Sequence, residues 1–212
     1  MREGTPIEKI VDATDFKQQC RKKGYQLQSI DFSKAALRRA LLCGSADHPE
    51  LVLTNPLFIE TDLRLADCVN WRCKQARFER SDCTGTSFYG CNFVEVVFKD
   101  VTYFDSDSPV FPAKFIGSEF NFADFEGEDL QHVVFVNCVL RGANFKDCDL
   151  RYARFVDCDL AGANFTHASI DGINLHGSQL EAGQLKTAEA DDWTTVCVQE
   201  TGQSLAALRD TV

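Results

Sequence analysis

Large apolar residues recur at every fifth position along most of this chain. In the run from Phe115 to Leu185, all fifteen successive fifth positions are Phe, Leu or Ile. Two shorter runs precede it in other frames, one from Leu53 to Tyr103 and one from Leu27 to Leu42. A helix repeats about every 3.6 residues and a strand about every 2, so a step of five keeps neither on one face. The pattern predicts a backbone that bends at each repeat and directs every fifth side chain inward.

The longest run defines the predicted structural core. Its first twelve members are Phe115, Phe120, Phe125, Leu130, Phe135, Leu140, Phe145, Leu150, Phe155, Leu160, Phe165 and Ile170. Two residues before each central position the side chain is usually small, as at Ala143 and Cys148. One large and one small inward residue per repeat would fill a narrow interior without voids. Glycine often follows the central position by two residues, as at Gly142, which indicates a corner with unusual backbone angles.

The repeat has a recognisable motif, namely Ala-Asn-Phe at 143–145 and 163–165 and Ala-Asp-Phe at 123–125. On these residues the sequence resembles the pentapeptide repeat family, whose pattern is A(D/N)(L/F)xx. The resemblance implies an all-β solenoid, a right-handed quadrilateral parallel β-helix with four pentapeptides per coil. Residues 20 apart should then stack on one side of the column, as Phe115 should on Phe135.

Two shifts of frame interrupt the repeat. One residue is added between Leu42 and Leu53, across 43–50, and two are added between Tyr103 and Phe115, across 104–112. Both segments are predicted to be loops that leave the column. Each is either a tolerated insertion, since loops accept length changes at little cost, or a loop that contacts a partner.

The N-terminal segment, residues 1–24, is predicted to be a helical cap. Thr5 and Pro6 resemble an N-cap and a first helical residue, Ile10 and Val11 would share one face with Ile7, and Gly24 would end the helix. Residues 25–185 would then form the β-helix.

Residues 186–212 are predicted to form a C-terminal cap. Trp193 and the segment 204–209 suggest a loop and a short helix that cover the last coil. In the DNA-mimicking branch of the family, C-terminal elements also join two columns, which implies a homodimer through this segment.

Composition and charge restrict the class of partner. The chain has 212 residues, a net charge of −10 and a pI of about 4.8. This balance disfavours direct binding to nucleic acid or to anionic lipid and permits basic partners. The sequence has neither an apolar run of about 18 residues nor a basic-then-apolar leader. We therefore expect a cytoplasmic protein that does not contact a membrane.

The ten cysteines are interpreted as reduced thiols, many of them buried. Cys138 and Cys158 should stack one coil apart, near enough for a disulfide, although small apolar filling is the favoured interpretation. Glu128 occupies a slot that small residues fill elsewhere. Because a buried unpaired carboxylate is costly, either this group is protonated or the coil is distorted there, and we favour distortion.

The motifs of phosphate binding, dinucleotide binding, zinc proteolysis and serine hydrolysis are missing from the sequence. The four histidines fall at outward or loop positions. We therefore predict a protein that is not an enzyme, with no catalytic, cofactor-binding or metal residues and no cofactor.

Outward positions offer two candidate interfaces. The acidic candidates are Asp62, Asp67, Asp105, Asp107, Asp129 and Asp149. They either provide solubility or lay spaced negative charge along a rod. The apolar candidates are Ile116, Val134, Val136 and Val156. These either mark an interface or are covered by a terminal segment or loop.

The favoured function is that of a non-enzymatic scaffold or effector-like module that binds another protein. The alternative follows from the resemblance alone, because the family includes quinolone-resistance proteins that mimic DNA. A similar protein would bind DNA gyrase, or another nucleic-acid-binding protein, and confer fluoroquinolone resistance.

Overall fold

The structure is a computed structural model that describes residues 8–105, 112–192 and 196–198 and, beyond these, residues 204, 206 and 208. It contains one α-helix of ten residues within residues 8–105, α1 (Ala13–Lys22). The strands are β1 (Glu8–Lys9), β2 (Gln26–Gln28), β3 (Ile30–Asp31), β4 (Leu41–Leu42), β5 (Leu51–Thr54), β6 (Leu57–Ile59), β7 (Asp67–Val69), β8 (Trp71–Lys74), β9 (Arg77–Glu79), β10 (Ser87–Tyr89), β11 (Asn92–Val94), β12 (Val97–Lys99), β13 (Lys114–Ile116), β14 (Val134–Val136) and β15 (Arg154–Val156).

The strands form a parallel β-solenoid of about seven turns, which confirms the predicted fold class. We number its four faces in the order in which each coil visits them. Face 1 carries the sheet β2-β5-β8-β11, face 2 carries β1-β3-β6-β9-β12, and face 4 carries β4-β7-β10-β13-β14-β15. Face 3, which holds Leu37, Leu63 and Leu130, is joined by isolated parallel bridges such as that between Asp62 and Asp82.

Residues 20 apart stack in register, because Phe115 pairs with Phe135 and Phe135 pairs with Phe155. Two coils are longer than 20 residues. Leu42 pairs with Cys68, and Phe88 pairs with Phe115. The extra residues lie at the two frame shifts of the sequence, one between faces 4 and 1 and the other between faces 3 and 4.

The interior of the column is a set of stacked apolar side chains. All twelve residues of the predicted core are buried. On face 2, the ring centroids of Phe58 and Phe78 lie 4.4 Å apart and those of Phe98 and Phe125 lie 4.7 Å apart, with nearly parallel planes. Rings on adjacent faces meet edge to face, so the aromatic contacts add to the free energy gained by burial.

A left-handed backbone conformation follows most central residues by two positions and turns the chain into the next face. Gly142 has a φ of +62° and Glu95 a φ of +56° at equivalent corners. Glycine adopts this conformation without steric strain, whereas a residue with a Cβ does so at a cost of about 1–2 kcal/mol.

The N-terminal cap differs from the prediction. Helix α1 begins at Ala13, after Asp12, whose carboxylate accepts hydrogen bonds from the backbone N–H groups of Thr14 and Asp15 at 2.8 and 2.9 Å. The predicted helical Ile10 instead donates its N–H to the carbonyl of Asp31 at 2.8 Å. The backbone before Asp12 is therefore used in the sheet, and the predicted start at Thr5, Pro6 and Ile7 lies outside the described residues.

Helix α1 covers the first coil, since Phe16 is buried with its ring centroid 6.1 Å from that of Phe32. At the other end, the ladder continues beyond Leu185, with bridges between Ser169 and Glu189 and between Asn174 and Cys197. Leu185 donates its N–H to the carbonyl of the buried Leu208 at 2.7 Å. Trp193 lies outside the described residues.

Candidate protein-interaction surface

Face 4 presents a line of apolar side chains to the outside. They stand one position after the central face-4 residue of successive coils, on the side opposite to the core. Tyr89 pairs in register with Val69 and with Ile116, Ile116 pairs with Val136, and Val136 pairs with Val156. We call these five residues the face-4 ladder.

The face-4 ladder is only partly covered by its own packing. Tyr89 is 56% exposed, and the four aliphatic members are half-buried. Neighbouring strands lie about 4.8 Å apart, so aliphatic side chains in register cover one another's flanks while their tips stay accessible. Val134 stands beside the ladder on the same face and is also half-buried.

Sequence reasoning identified Ile116, Val134, Val136 and Val156 but missed Val69 and Tyr89. The missed residues follow central Cys68 and Phe88 by one position, as Ile116 follows Phe115. Applying the same one-residue offset in the repeat frame that precedes the second frame shift would have identified Val69 and Tyr89.

An aromatic stack lines the corner between faces 3 and 4, next to Val134 in sequence. The rings of His132 and Tyr152 are stacked with centroids 5.2 Å apart, and Phe104 contacts His132 edge to face at 5.8 Å. Tyr152 is 56% exposed. The apolar surface of face 4 therefore continues around this corner.

The structure does not bring the acidic candidates together on one surface. Asp62, Asp129 and Asp149 lie on face 3, where bridges join Asp62 to Asp82 and Asp129 to Asp149. Asp67 lies on β7 of face 4, and Asp105 lies at the start of the second loop. Asp107 lies outside the described residues.

The face-3 aspartates serve the fold directly. Asp62, Asp129 and Asp149 each accept a hydrogen bond from the backbone N–H two residues on, at 3.1–3.2 Å. Arg64 pairs with Asp62 at 2.6 Å, and its side-chain hydrogen bond lowers the pKa of that carboxyl. Arg151 pairs with Asp149 at 2.5 Å. Much of the negative charge on this face is thus engaged in turns and ion pairs.

Charge is distributed unevenly along the column. Residues 8–105 contain 14 acidic and 14 basic side chains, whereas residues 113–192 contain 14 acidic and 6 basic ones. The C-terminal part of the column therefore carries the net negative charge of these two segments, which favours basic partners at that end.

Glu128 is buried, 4% exposed, in the coil after the second loop. Its carboxylate accepts hydrogen bonds from the backbone N–H groups of Asp100 at 2.6 Å and Val101 at 3.0 Å. Two coils earlier on the same face, the hydroxyl of Ser81 accepts from the N–H of Thr61 at 3.1 Å in the equivalent way. Glu128 thus provides an acceptor for the buried N–H of Val101 and for the partly buried N–H of Asp100.

The predicted distortion at Glu128 is wrong, because this coil keeps its regular bonds from the Glu128 N–H to Phe125 and from the Asp149 N–H to Glu128. Burial raises the pKa of Glu128, an effect that its two N–H partners only partly offset. The neighbouring Tyr103 is buried too, and burial raises its pKa.

All ten cysteines are free thiols. Burial raises the pKa of Cys91 and of Cys148 to about 12, so these groups stay protonated at neutral pH and act as small core residues. Within the part of the chain that the structure describes, no three His, Cys, Asp or Glu residues are arranged to hold a metal ion. Nor does any helix among those residues have the length and apolar character needed to cross a membrane.

Comparison with known proteins identifies the repeat. Residues 110–185 match the family model described as a pentapeptide repeat region. A trypsin-treated form of QnrB1, a plasmid-mediated fluoroquinolone resistance protein, is 16% identical, with a TM-score of 0.51 over 82% of each chain. No curated protein sequence matches significantly.

HetL is a pentapeptide repeat protein involved in heterocyst differentiation regulation from the cyanobacterium Nostoc sp. strain PCC 7120. It is 18% identical, with a TM-score of 0.40 over 87% of this chain and 92% of its own. At 16% identity, the similarity to QnrB1 indicates a shared fold and carries no information about partners.

Proposed function

Since residues 110–185 make this chain a pentapeptide repeat protein, we propose that it acts without catalysis, as a module that binds another protein on face 4. The face-4 ladder carries this proposal. Its members form one continuous apolar line across five paired strands of the longest sheet. Contiguous apolar surface on a folded protein usually marks an interaction site.

The surroundings of the ladder fit a protein partner. Lys114 and Arg154 are exposed on either side of Val134 in the adjacent outward column, and Asp67 is exposed further along it. An apolar centre with charged residues at its border resembles the core and rim of protein interfaces. The exposed tyrosines, Tyr89 on the ladder and Tyr152 at the corner, are of a residue type that is enriched among the strongest contributors to such interfaces.

The test is capture of a specific partner by wild type and by Val136→Asp, followed by affinity measurement with the purified partner. We expect Val136→Asp to weaken binding at least about tenfold, because a carboxylate would have to be desolvated at the centre of the interface.

Val139→Asp is the matched control, since Val139 is half-buried at an outward position of the next pentapeptide on face 1. Circular dichroism should show both variants folded. Equal binding by Val136→Asp and wild type would exclude face 4 as the docking surface.

A second candidate function is that of a DNA mimic that binds DNA gyrase and protects it from fluoroquinolones. The excess of acidic residues over 113–192 favours it, and the fold shared with QnrB1 is compatible with it. A negatively charged rod can occupy a basic cleft that otherwise holds phosphates. The ion pairs of Asp62 and Asp149 count against it, because they reduce the charge presented by face 3.

This second function predicts inhibition of supercoiling by purified gyrase, or relief of fluoroquinolone inhibition, at micromolar protein. Asp129→Asn together with Asp149→Asn should reduce the effect, since asparagine keeps the turn hydrogen bond and removes the charge. No effect of wild type in either assay would exclude this function. A cytoplasmic location and a homodimer through the C-terminal segment belong to the same proposal.

A further inference from the structure

We propose that the open edge of β4 binds an extended peptide segment of a partner protein as an additional parallel strand. Helix α1 would form one wall of this site and residues 43–45 the other. The site lies at the N-terminal end of the column, apart from the middle of the face-4 ladder, so the inference goes beyond the function proposed above.

β4 is the terminal strand of the six-stranded sheet on face 4. Leu41 pairs with Asp67, and the Asp67 N–H donates to the carbonyl of Ala40 at 2.9 Å. In a parallel ladder this register directs the N–H and C=O of Leu41 away from β7, toward the open side. These groups form a template for another strand.

The other faces are closed differently at this end. β1 pairs with β3 on face 2, and Asp12 bridges to Ala36 on face 3. β2, the terminal strand of face 1, is contacted by α1 and carries polar Gln26 and Gln28. Among these edges, β4 combines an open side with apolar residues, and its Leu41 side chain is 52% exposed.

A groove of about 290 Å³ lies over this edge. Phe16 and Cys20 of α1 line one side, Cys43 and Gly44 line the other, and Leu41 and Tyr25 complete it. The volume is at the lower end of the ~300–1,000 Å³ of small-molecule pockets. It is sufficient for the side chains of a short strand, and the backbone edge along its floor fits a peptide better than a cofactor.

The rim of the groove defines the chemistry of the peptide. Lys17 and Arg21 line it from the exposed side of α1, and neither forms an ion pair with any residue that the structure describes. A strand stacked in register on β4 would place one residue over the exposed Leu41 and the next over the buried Leu42. The fitting segment therefore has adjacent apolar residues flanked by Asp or Glu, which complement Lys17 and Arg21.

The test selects binders from a phage-displayed library of random ten-residue peptides on the full chain and measures their affinities by fluorescence anisotropy. We expect enriched peptides with an apolar centre and acidic flanks. Leu41→Lys should weaken their binding at least about tenfold, and Lys17→Glu with Arg21→Glu should have a similar effect. All these positions are exposed or on the rim, so the variants should fold.

Strand addition has a further signature in the peptide backbone. Methylation of backbone nitrogens, one at a time, should abolish binding at alternate positions only, since alternate N–H groups of an added strand face β4. Tyr89→Lys, in the middle of the face-4 ladder, should leave peptide affinity unchanged, which separates this site from the proposed function. The proposal is overturned if no peptide is enriched, if Leu41→Lys has no effect, if Tyr89→Lys abolishes binding, or if methylation shows no alternation.

Discussion

The column consists of two parts that reach the same fold with different local structure. In the upper column, residues 8–105, three faces carry strands, β1 to β12. In the lower column, residues 112–192, strands β13 to β15 lie on face 4, and the described residues of the other faces are turns joined by isolated bridges. The upper part is balanced in charge, whereas the lower part has a large excess of acids.

Outward residues account for much of this difference. In the lower column Asn144 and Asn164 accept hydrogen bonds from the backbone N–H two residues on, at 3.2 and 3.0 Å. This bond closes each pentapeptide into a tight turn. At equivalent positions of face 2 in the upper column stand Arg77 and Val97, whose side chains have no oxygen to accept this bond, and β-branched Val97 also favours extended structure.

The comparison shows that the family motif describes turn chemistry more than coiling. The family model matches residues 110–185, yet the inward stack runs unbroken from Phe32 on face 2 through both parts. The apolar fifth positions coil the chain, while the Asp, Asn and Gly residues of the motif decide whether each side is a strand or a turn.

The largest expected effect comes from removing one ring in either part. Phe78 stacks on Phe58 and Phe98 at 4.4 and 4.9 Å, and Phe145 stacks on Phe125 and Phe165 at 5.2 and 5.4 Å. Each change to Ala should lower the free energy of unfolding by about 3–5 kcal/mol, with Phe78→Ala at the upper end because its neighbours are closer.

Denaturant unfolding measures the total loss of unfolding free energy in each variant, and hydrogen exchange shows which part of the column is destabilised. Because each coil contacts only its neighbours, protection should fall mainly in the part that carries the substitution. Equal loss of protection in both parts would show that the column unfolds as a single unit and that the two parts are not energetically distinct.

Glu128 of the lower column accepts hydrogen bonds from backbone N–H groups of the upper column, so replacing it tests how much this contact between the two parts contributes to stability. Glu128→Ala leaves the N–H groups of Asp100 and Val101 without their acceptor and should cost about 1–3 kcal/mol. Since the folded-state pKa is raised above the unfolded value, the stabilisation by Glu128 is complete below the unfolded pKa and decreases as pH rises through the folded one.

The cost of Glu128→Ala should therefore be larger at pH 4 than at pH 8, as measured by urea unfolding at each pH. Glu126→Ala, an exposed carboxylate two residues earlier, is the control and should lack this increase at low pH. A cost that grows with pH would mean that the N–H partners outweigh burial at Glu128.

Corner glycines of the lower column provide a smaller, paired effect. A Cβ on Gly142 would lie 2.6 Å from the ring of Phe122, whereas a Cβ on Gly162 would lie 4.0 Å from the backbone nitrogen of Gly142. Both have positive φ, so Gly162→Ala should cost about 1 kcal/mol from backbone strain. Gly142→Ala should cost about 1 kcal/mol more, because Phe122 has to move.

Thermal unfolding measures both changes, and the NMR shifts of the Phe122 ring report its displacement. Equal costs with an unmoved ring would mean that corner strain alone selects glycine at these positions.

The smallest expected effect is a stabilisation of the upper column. Glu95 is exposed at a corner with a φ of +56°. Glu95→Gly removes the strain of the left-handed conformation but adds backbone entropy to the unfolded chain, so we expect a net gain of about 0.5–1 kcal/mol. Gly127→Ala, at a corner with open space around it, should shift the melting temperature in the opposite direction. A loss of stability in Glu95→Gly would show that its side chain contributes more than the strain costs.

The five-residue pattern was enough to predict which side chains turn inward, because burial of Phe115, Phe135 and their equivalents does not depend on local detail. The solenoid itself was predicted from the resemblance to the pentapeptide repeat family. The beginning of α1 was not predictable from Thr5 and Pro6, since the choice between helix and sheet for Ile10 depends on pairing with Asp31. The role of Glu128 was also missed. Its acceptors face donors 27 and 28 residues earlier, a distance that reflects the second loop and has no local signal.

The candidate site was predictable only in part. Ile116, Val136 and Val156 were visible because they share one frame, whereas Tyr89 belongs to a frame displaced by the loop. The acidic candidates were identified by charge alone, and charge does not show that Asp62 and Asp149 already bind Arg64 and Arg151.

In-register stacking also has an evolutionary consequence. Since residues 20 apart occupy equivalent places, an in-frame duplication of a single coil would lengthen the column by one coil and leave its two ends unchanged. The apolar line on face 4 can therefore lengthen during evolution by whole coils. Insertions of any other size have to leave the column as loops, as residues 43–50 do.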